Sequence, residues 1–152
     1  VCSSDLLKMN ARKQNVTMKL CGKPCTVYAD RQLMEELLYN LCDNAIRYNN
    51  RGGSVTVTVD EKDGHVFLSI RDTGIGIPTE HQDRVFERFY RVDKSRSKAT
   101  GGTGLGLAIV KHIVAQHGAS ISLESQAGKG TEIRVEFSDA LKQQMEERAE
   151  NA

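Results

Sequence analysis

Apolar residues recur along this chain with two periods, one typical of helices and one typical of strands. From about residue 31 to 48 they recur at intervals of three and four, which predicts one apolar helical stripe formed by Met34, Leu37, Leu38, Leu41 and Ala45. Apolar and polar residues alternate in SVTVTVD (54–60) and HVFLSIRD (65–72), which predicts two half-buried strands. The residues KDG (62–64) between them suit a hairpin turn.

The remaining segments predict shorter elements. VTMKL (16–20) and CTVYAD (25–30) read as two strands around a turn, and ASISLES (119–125) and TEIRVEF (131–137) as a final pair. Residues 105–115 are apolar on nearly every side and predict a buried helix. Thr79 and Gln82 have the spacing of a capping box, which predicts a short helix carrying Val85, Phe86 and Phe89.

Antiparallel hairpins interrupted by two long helices favour an α+β fold. The economical arrangement is a two-layer α/β sandwich, with one sheet and the helices on one of its faces. The chain has 152 residues, a length typical of one domain with one core.

Charge and cysteine content exclude several classes of protein. The net charge of +1 gives no indication of a nucleic-acid or membrane surface, and no apolar run approaches the ~18 residues of a membrane span. The N-terminal residues lack the pattern of a signal peptide and are typical of a chain excised from a longer protein. The four cysteines form no CxxC pair, so we expect free thiols and a reducing compartment.

The stretch GGTGLGLAIV (101–110) has four glycines in six positions directly before the predicted helix. It lacks the G-x-G-x-x-G order of a dinucleotide-binding loop, and no Lys-Ser/Thr pair follows Gly106 as in a P-loop. Two interpretations stay open. The glycines serve helix–sheet packing at a loop tip, or they open a helix whose N–H groups and dipole attract an anion.

Two other segments carry candidate chemistry. Asn40, Asn44 and Arg47 share one face of the first long helix, with Tyr48 nearby, and carboxamides there can bind a hard cation or phosphate, although exposed polar residues would give the same pattern. Asp72 ends a strand before TGIGIP (73–78), where a carboxylate can accept a hydrogen bond from an amine such as that of adenine. An ordinary Asp-Thr-Gly turn is the alternative.

Four motifs in this chain follow a known order: Asn40-x-x-x-Asn44-Ala45, Asp72-x-Gly74-x-Gly76, Phe86-x-x-Phe89 and Gly102-x-Gly104-x-Gly106. They resemble the N, first glycine, F and second glycine boxes of the catalytic ATP-binding domain of bacterial sensor histidine kinases. That domain belongs to the superfamily of DNA gyrase B, Hsp90 and MutL. The resemblance covers about Val27 to Phe137.

The resemblance implies the Bergerat (GHKL) fold, with a mixed, mostly antiparallel sheet and a mobile ATP lid at about residues 92–101. It implies ATP and Mg²⁺ as cofactors. Asn44 would be the Mg²⁺ ligand, and Asn40, where gyrase-type ATPases have a catalytic glutamate, would orient metal-bound water or the γ-phosphate. Asp72 would read the adenine amino group.

The same resemblance assigns the other site residues. Arg47 would contact phosphate, Tyr48 would pack beside the nucleotide, and Thr131 would line the adenine pocket. Arg91 and Lys94 would reach the phosphates or the acceptor from the lid, and Phe86 and Phe89 would anchor it. The remaining nucleotide-binding residues would be Gly74, Gly76, Ile77, Gly102, Thr103, Gly104, Leu105, Gly106 and Leu107.

A kinase of this kind transfers the γ-phosphoryl group of ATP to a histidine on a separate dimerisation and histidine-phosphotransfer domain, for onward transfer to a response regulator. None of the four histidines here lies in a His-Glu or His-Asp acceptor context. Residues 1–15 resemble the end of the linker from the acceptor domain, 16–138 the catalytic domain and 139–152 a polar tail. The resemblance implies the cytoplasmic domain of a membrane-anchored homodimer. A gyrase-type ATPase and a non-catalytic nucleotide-binding module are the alternatives.

Overall fold

The computed structural model of this chain describes residues 2–25, 27, 29–90, 106–137 and 148–151. The helices with defined bounds are α1 (Cys2–Lys13), α2 (Arg31–Arg47), α3 (Thr79–Gln82) and α4 (Gly106–Gln116). The strands are β1 (Thr17–Gly22), β2 (Ser54–Lys62), β3 (His65–Asp72), β4 (Ser120–Gln126) and β5 (Gly130–Phe137). None of the helices in these ranges is long and apolar enough to cross a membrane.

The strands form one mixed sheet in the order β1-β2-β3-β5-β4, in which β1 and β2 are parallel and the other pairs antiparallel. Val57, Ile70 and Ile133 are partners in register across β2, β3 and β5. They are buried in one core with Leu37 and Leu41 of α2 and with α4 residues. The predicted α+β sandwich is confirmed, because the alternating strand residues cover one face of the sheet with apolar side chains.

The predicted strand at residues 25–30 is wrong. Its described residues, Cys25, Val27, Ala29 and Asp30, are not in a strand. The ladder ends where the N–H of Lys23 donates to the Val59 carbonyl oxygen (2.9 Å), and Pro24 has no N–H to continue it. Asp30 instead caps α2, since its Oδ1 accepts the N–H of Leu33 (3.0 Å).

The predicted capping box at residues 79–82 is also wrong. The N-cap residue of α3 is Pro78, which makes no side-chain cap bond. The Gln82 amide nitrogen donates instead to the carbonyl oxygens of Ile77 (2.9 Å) and Ser125 (3.0 Å). The spacing of Thr79 and Gln82 predicts a local cap. The Gln82 side chain instead connects the segment before α3 to β4.

The two long helices are less uniformly buried than their sequences predict. In α4, Val110, Ile113 and Val114 are buried, whereas Lys111 and His112 are exposed. In α2, Leu37, Leu41 and Ala45 of the predicted stripe are buried, whereas Leu38 is 38% exposed. Cys21, Cys25 and Cys42 are free thiols, as expected.

Helix α1 joins the sheet at the end that carries Asp72. The N–H of Gly52 donates to the Asn15 carbonyl oxygen (2.9 Å), and the N–H of Thr17 donates to that of Gly53 (3.0 Å). The same 50–54 turn contacts Thr73, whose Oγ1 accepts the N–H of Ser54 (2.9 Å). The segment that directly follows α1 is thus hydrogen-bonded to the turn that borders the end of β3.

Candidate functional site

Asp72 is the last residue of β3 and lies on the inner face of the sheet, in register with Val55 on one side and Thr131 on the other. Its Oδ1 accepts two backbone N–H groups, from Gly74 (2.9 Å) and Thr131 (3.2 Å). The Gly74 bond is the local Asx turn, and the Thr131 bond crosses to β5. Oδ2 is the oxygen left to accept a hydrogen bond from a ligand.

Burial raises the pKa of Asp72 to about 6, although the N–H groups of Gly74 and Thr131 act in the opposite direction. Because both of these donors point at Oδ1, a proton taken up by the carboxyl group goes to Oδ2. Protonation therefore converts the oxygen available to a ligand from an acceptor into a donor.

Asp72, Thr131 and Ser125 are partners in register across β3, β5 and β4, so they form one row across the sheet. The Ser125 hydroxyl donates to the Gly130 carbonyl oxygen (3.0 Å) and accepts the N–H of Ile77 (2.8 Å). The hydroxyls of Thr131 and Ser125 are 2.7 Å apart, so Thr131 donates and keeps its lone pairs for other groups. Ser125 was not predicted, and only its place at the polar end of an alternating strand could have indicated it.

The structure explains why glycine is required at positions 74 and 76, which the sequence did not reveal. A Cβ on Gly74 would overlap the carbonyl oxygen of Tyr48, at the end of α2. Gly76 has a φ of 70°, and a Cβ there would overlap the carbonyl oxygen of Gln126. These glycines allow the 73–77 segment to pack between α2 and the β4–β5 turn, and contact with a nucleotide stays a prediction.

Four residues at helical spacing form one stripe on α2, namely Asn40, Asp43, Asn44 and Arg47. Asp43 Oδ2 and Arg47 Nε are 2.7 Å apart, in an ion pair whose side chains are only 16% and 25% exposed. Asp43 was not predicted, although it lies between the two asparagines on the same side of the helix. We call these four residues the α2 stripe.

The α2 stripe lies against the start of α4. The Asn40 amide nitrogen donates to the Glu36 carbonyl oxygen (2.8 Å), which fixes the orientation of the carboxamide. A Cβ on Gly106 would come within 3.3 Å of Asn40 Oδ1. Gly106, which is the first residue of α4 and the last glycine of the second glycine motif, therefore lies beside Asn40.

Tyr48 connects the α2 stripe to the Asp72 segment through its backbone. It is the C-cap of α2, and its carbonyl oxygen accepts the N–H of Ile75 (3.0 Å). The predicted residues at Asn40, Tyr48, Asp72, Thr131 and Gly106 are thus joined by contacts along one side of the molecule. Leu107, also predicted, packs against the core.

Six predicted site residues lie outside the described residues, namely Arg91, Lys94, Gly102, Thr103, Gly104 and Leu105. The predicted lid at 92–101 lies there too.

Within the described residues, Val85 is buried, and Phe89 is 65% exposed with a φ of 64°. His81 and Tyr90 hydrogen-bond to each other, and the Arg84 guanidinium lies 4.5 Å from the centre of the Tyr90 ring.

Among the residues that the structure describes, no group of three or more His, Cys, Asp or Glu side chains is arranged to hold a metal ion. A metal at this site would therefore need ligands other than a cluster of these side chains. Amide oxygens, phosphate oxygens and water can supply them to Mg²⁺.

Comparison with known proteins identifies the family. Residues 29–141 match the family described as histidine kinase-, DNA gyrase B-, and HSP90-like ATPase. The sensor histidine kinase YkoH of Bacillus subtilis is 46% identical over 127 residues, which cover 84% of this chain and 28% of that protein. The sensor protein SrrB of Staphylococcus aureus is 44% identical over 139 residues, 88% of this chain and 24% of that protein. The chain spans about a quarter of the length of these relatives.

Solved structures are similar over nearly the whole chain. The mycobacterial sensor histidine kinase MprB has a TM-score of 0.74 and 31% identity, over 89% of this chain and 90% of that one. Full-length ShkA in complex with AMPPNP has a TM-score of 0.75 and 29% identity, over 89% of this chain and 28% of that one. The chain therefore belongs to the histidine kinase-, DNA gyrase B- and HSP90-like ATPase family, as the ATP-binding catalytic domain of the sensor histidine kinase type.

Proposed function

We propose that this domain binds Mg²⁺-ATP along the side that runs from Thr131 to Gly106, with adenine at Asp72 and the phosphates at the α2 stripe. The observation that carries the proposal is the orientation of the Asp72 carboxylate. Two backbone N–H groups occupy Oδ1 and leave Oδ2 as an acceptor. The adenine amino group is a donor of the matching kind, whereas guanine presents an acceptor at the same position.

At the adenine end, Thr131 would offer a hydroxyl lone pair, because its hydrogen points to Ser125. Gly74, Gly76 and Ile77 would border the base. At the phosphate end, Arg47 and the first N–H groups of α4, at Gly106 and Leu107, would contact phosphate oxygens. Tyr48 would pack beside the nucleotide. Arg91, Lys94, Gly102, Thr103, Gly104 and Leu105 keep the roles that the family resemblance implies.

The residues of the α2 stripe fit Mg²⁺. Asn44 would be its protein ligand, and Asn40 would orient a metal-bound water or the γ-phosphate, since Mg²⁺ takes oxygen ligands and retains several waters. When bound, the ion neutralises phosphate charge during phosphoryl transfer. Asn40 cannot act as a base, because a carboxamide does not take up a proton at neutral pH, and this disfavours the gyrase-type ATPase alternative.

The phosphoryl acceptor is a histidine of a dimerisation domain elsewhere in the full-length protein. Both ring nitrogens of His117 are engaged, with the Asp30 N–H (3.1 Å) and the Ile113 carbonyl oxygen (2.8 Å). His65 pairs with Glu136 and His81 with Tyr90. As the relatives are sensor kinases, we propose that a response regulator receives the phosphoryl group. We also propose that the domain lies on the cytoplasmic side of a membrane-anchored homodimer.

The test is a transfer assay with ATP labelled at the γ-phosphate. The domain, Mg²⁺ and the acceptor domain of the full-length protein should together label the acceptor, and replacing the acceptor histidine should abolish the label. Release of labelled phosphate without a labelled acceptor would favour the ATPase alternative. ATP binding without either reaction would favour a non-catalytic module.

A further inference from the structure

Asp43 combines two features that the proposed function does not use. Its Oδ2 contacts Arg47 Nε at 2.7 Å. Its Oδ1 is buried and has no hydrogen-bond partner within the part of the chain that the structure describes. A buried carboxylate oxygen without a donor costs about 1–3 kcal/mol or more, because it has lost water and gained nothing in return.

Stabilisation of α2 by an i, i+4 ion pair does not account for this arrangement of Asp43. Arg31 and Glu35 form a second i, i+4 ion pair on α2, with a separation of 3.6 Å and side chains 89% and 44% exposed. Such an exposed pair leaves its other carboxylate oxygen to solvent and contributes little to stability. The Asp43 side chain is 16% exposed and its second oxygen is withdrawn from solvent, and the residue lies on the side of α2 that carries Asn40 and Asn44.

The chemistry of Oδ1 identifies a suitable partner. A water molecule bound to Mg²⁺ has its lone pair on the metal, so it offers only hydrogens, and a carboxylate oxygen accepts one of them. Mg²⁺ keeps several waters in protein sites, and residues that orient ligands from outside the coordination sphere tune metal affinity. Asp43 is the one carboxylate of the α2 stripe, next in sequence to Asn44.

We propose that Asp43 is a positioning residue for the metal, whose Oδ1 accepts a hydrogen bond from a Mg²⁺-bound water while Oδ2 orients Arg47. This inference rests on the proposed binding of Mg²⁺-ATP. It predicts that Asp43 acts mainly on the part of nucleotide affinity that depends on Mg²⁺.

The experiment measures ATP binding with Mg²⁺ and with EDTA by displacement of a fluorescent ATP analogue. In Asp43→Asn, the side-chain oxygen keeps the contact with Arg47, and the amide nitrogen takes the place of Oδ1. It then faces a water that can only donate. We expect the affinity gain on adding Mg²⁺ to fall by about tenfold and the affinity in EDTA to stay unchanged.

Glu35→Gln is the matched control, because it neutralises the carboxylate of the exposed ion pair on the same helix, and it should behave as wild type. Asp43→Ala, which places no amide nitrogen at the buried position, should lose the same Mg²⁺-dependent gain and also some affinity in EDTA. Thermal unfolding without nucleotide verifies that each variant is folded.

A Mg²⁺-dependent gain that is as large in both Asp43 variants as in wild type would overturn the inference and leave the proposed function intact. An equal loss in Mg²⁺ and in EDTA for Asp43→Asn would also overturn it, since Asp43 would then act only through Arg47. Absence of any Mg²⁺-dependent gain in wild type would overturn the proposed function and the inference together.

Discussion

The backbone N–H of Thr131 donates to Asp72 Oδ1 across the β3–β5 pair, at 3.2 Å. With the Gly74 N–H on the same oxygen, the carboxylate cannot exchange its two oxygens without losing two hydrogen bonds. The side chain therefore presents a defined atom to a ligand.

Asp72→Asn should reverse the preference of the site for nucleotide bases. The two backbone N–H groups require the Asn oxygen at the Oδ1 position, so the amide nitrogen must take the position that would face the base. A donor there opposes the adenine amino group and suits guanine O6. ATP affinity should fall by about tenfold to a hundredfold, the equivalent of ~1–3 kcal/mol, and GTP affinity should rise. Competition of both nucleotides against a fluorescent ATP analogue measures this, and unchanged ATP binding would contradict the adenine assignment.

ATP affinity should decrease as the pH falls through about 6, because protonation of Asp72 at Oδ2 replaces the acceptor with a donor. The phosphates of ATP also titrate near this pH, so the informative quantity is the difference in ATP affinity between wild type and Asp72→Asn. Affinity measured from pH 8 to 5 should converge for the two proteins at the acidic end. Parallel curves would show that Asp72 does not contact the base.

The stability of the empty domain should show the opposite pH dependence. The folded-state pKa of Asp72 lies above its unfolded value of 3.8, so the folded state binds the proton more tightly. The resulting contribution to the free energy of unfolding is present below pH 4 and is lost as the pH rises through about 6. We expect about 1–2 kcal/mol after allowance for partial exposure. Denaturant unfolding of wild type relative to Asp72→Asn measures this, and a difference that does not vary between pH 4 and 7 would contradict the shift.

Asn44→Ala should weaken Mg²⁺-dependent ATP binding by about tenfold, or ~1.4 kcal/mol, with little effect on folding. Asn44 is on the partly exposed side of α2, and alanine is a better helix former, so the unfolding temperature should be unchanged or slightly higher. Binding in EDTA is the control. Equal affinities of the two proteins in Mg²⁺ would exclude a ligand role for Asn44.

Gly76→Ala should destabilise the domain by at least ~2 kcal/mol more than Gly128→Ala. Both glycines have positive φ, 70° and 81°, so both variants carry the conformational cost of a side chain in that region. A Cβ at Gly76 would also overlap the Gln126 carbonyl oxygen, whereas nothing lies within 4 Å of one at Gly128. Chemical denaturation of the two variants isolates the cost of the overlap. Equal losses of stability would show that the 73–77 segment shifts at little cost to accommodate the side chain.

Periodicity predicted the elements whose residues alternate or recur with clear spacing, such as β2, β3 and α2. It failed at residues 25–30, where alternation of small and apolar residues resembles a strand, but Pro24 and the Asp30 cap direct the chain into a helix. It failed at Gln82 because the partners of that side chain include Ser125, which lies 43 residues away. Local spacing cannot reveal a contact that the packing of α3 on β4 creates.

The sequence predicted candidate residues, whose roles stay predictions, and it did not predict their geometry. Asp72 was identified by its position at the end of a strand, yet the bond that fixes its orientation comes from β5, 59 residues later. The family resemblance implies nucleotide binding for Gly74 and Gly76, and the carbonyl groups of Tyr48 and Gln126 already require glycine there. Asp43 was missed because neither its ion pair with Arg47 nor the burial of its second oxygen follows from the spacing of the asparagines.

The hydrogen bonds between the 50–54 turn and the residues that directly follow α1 have a mechanical consequence. A force along α1 acts on Gly52 and Gly53 through Asn15 and Thr17, and then on Thr73 through Ser54. Thr73 is covalently bonded to Asp72, so the load reaches the proposed base-reading carboxylate before it reaches β4, at the far edge of the sheet. Pulling the domain by its N-terminal helix should therefore loosen the adenine end while the β4–β5 hairpin is still intact.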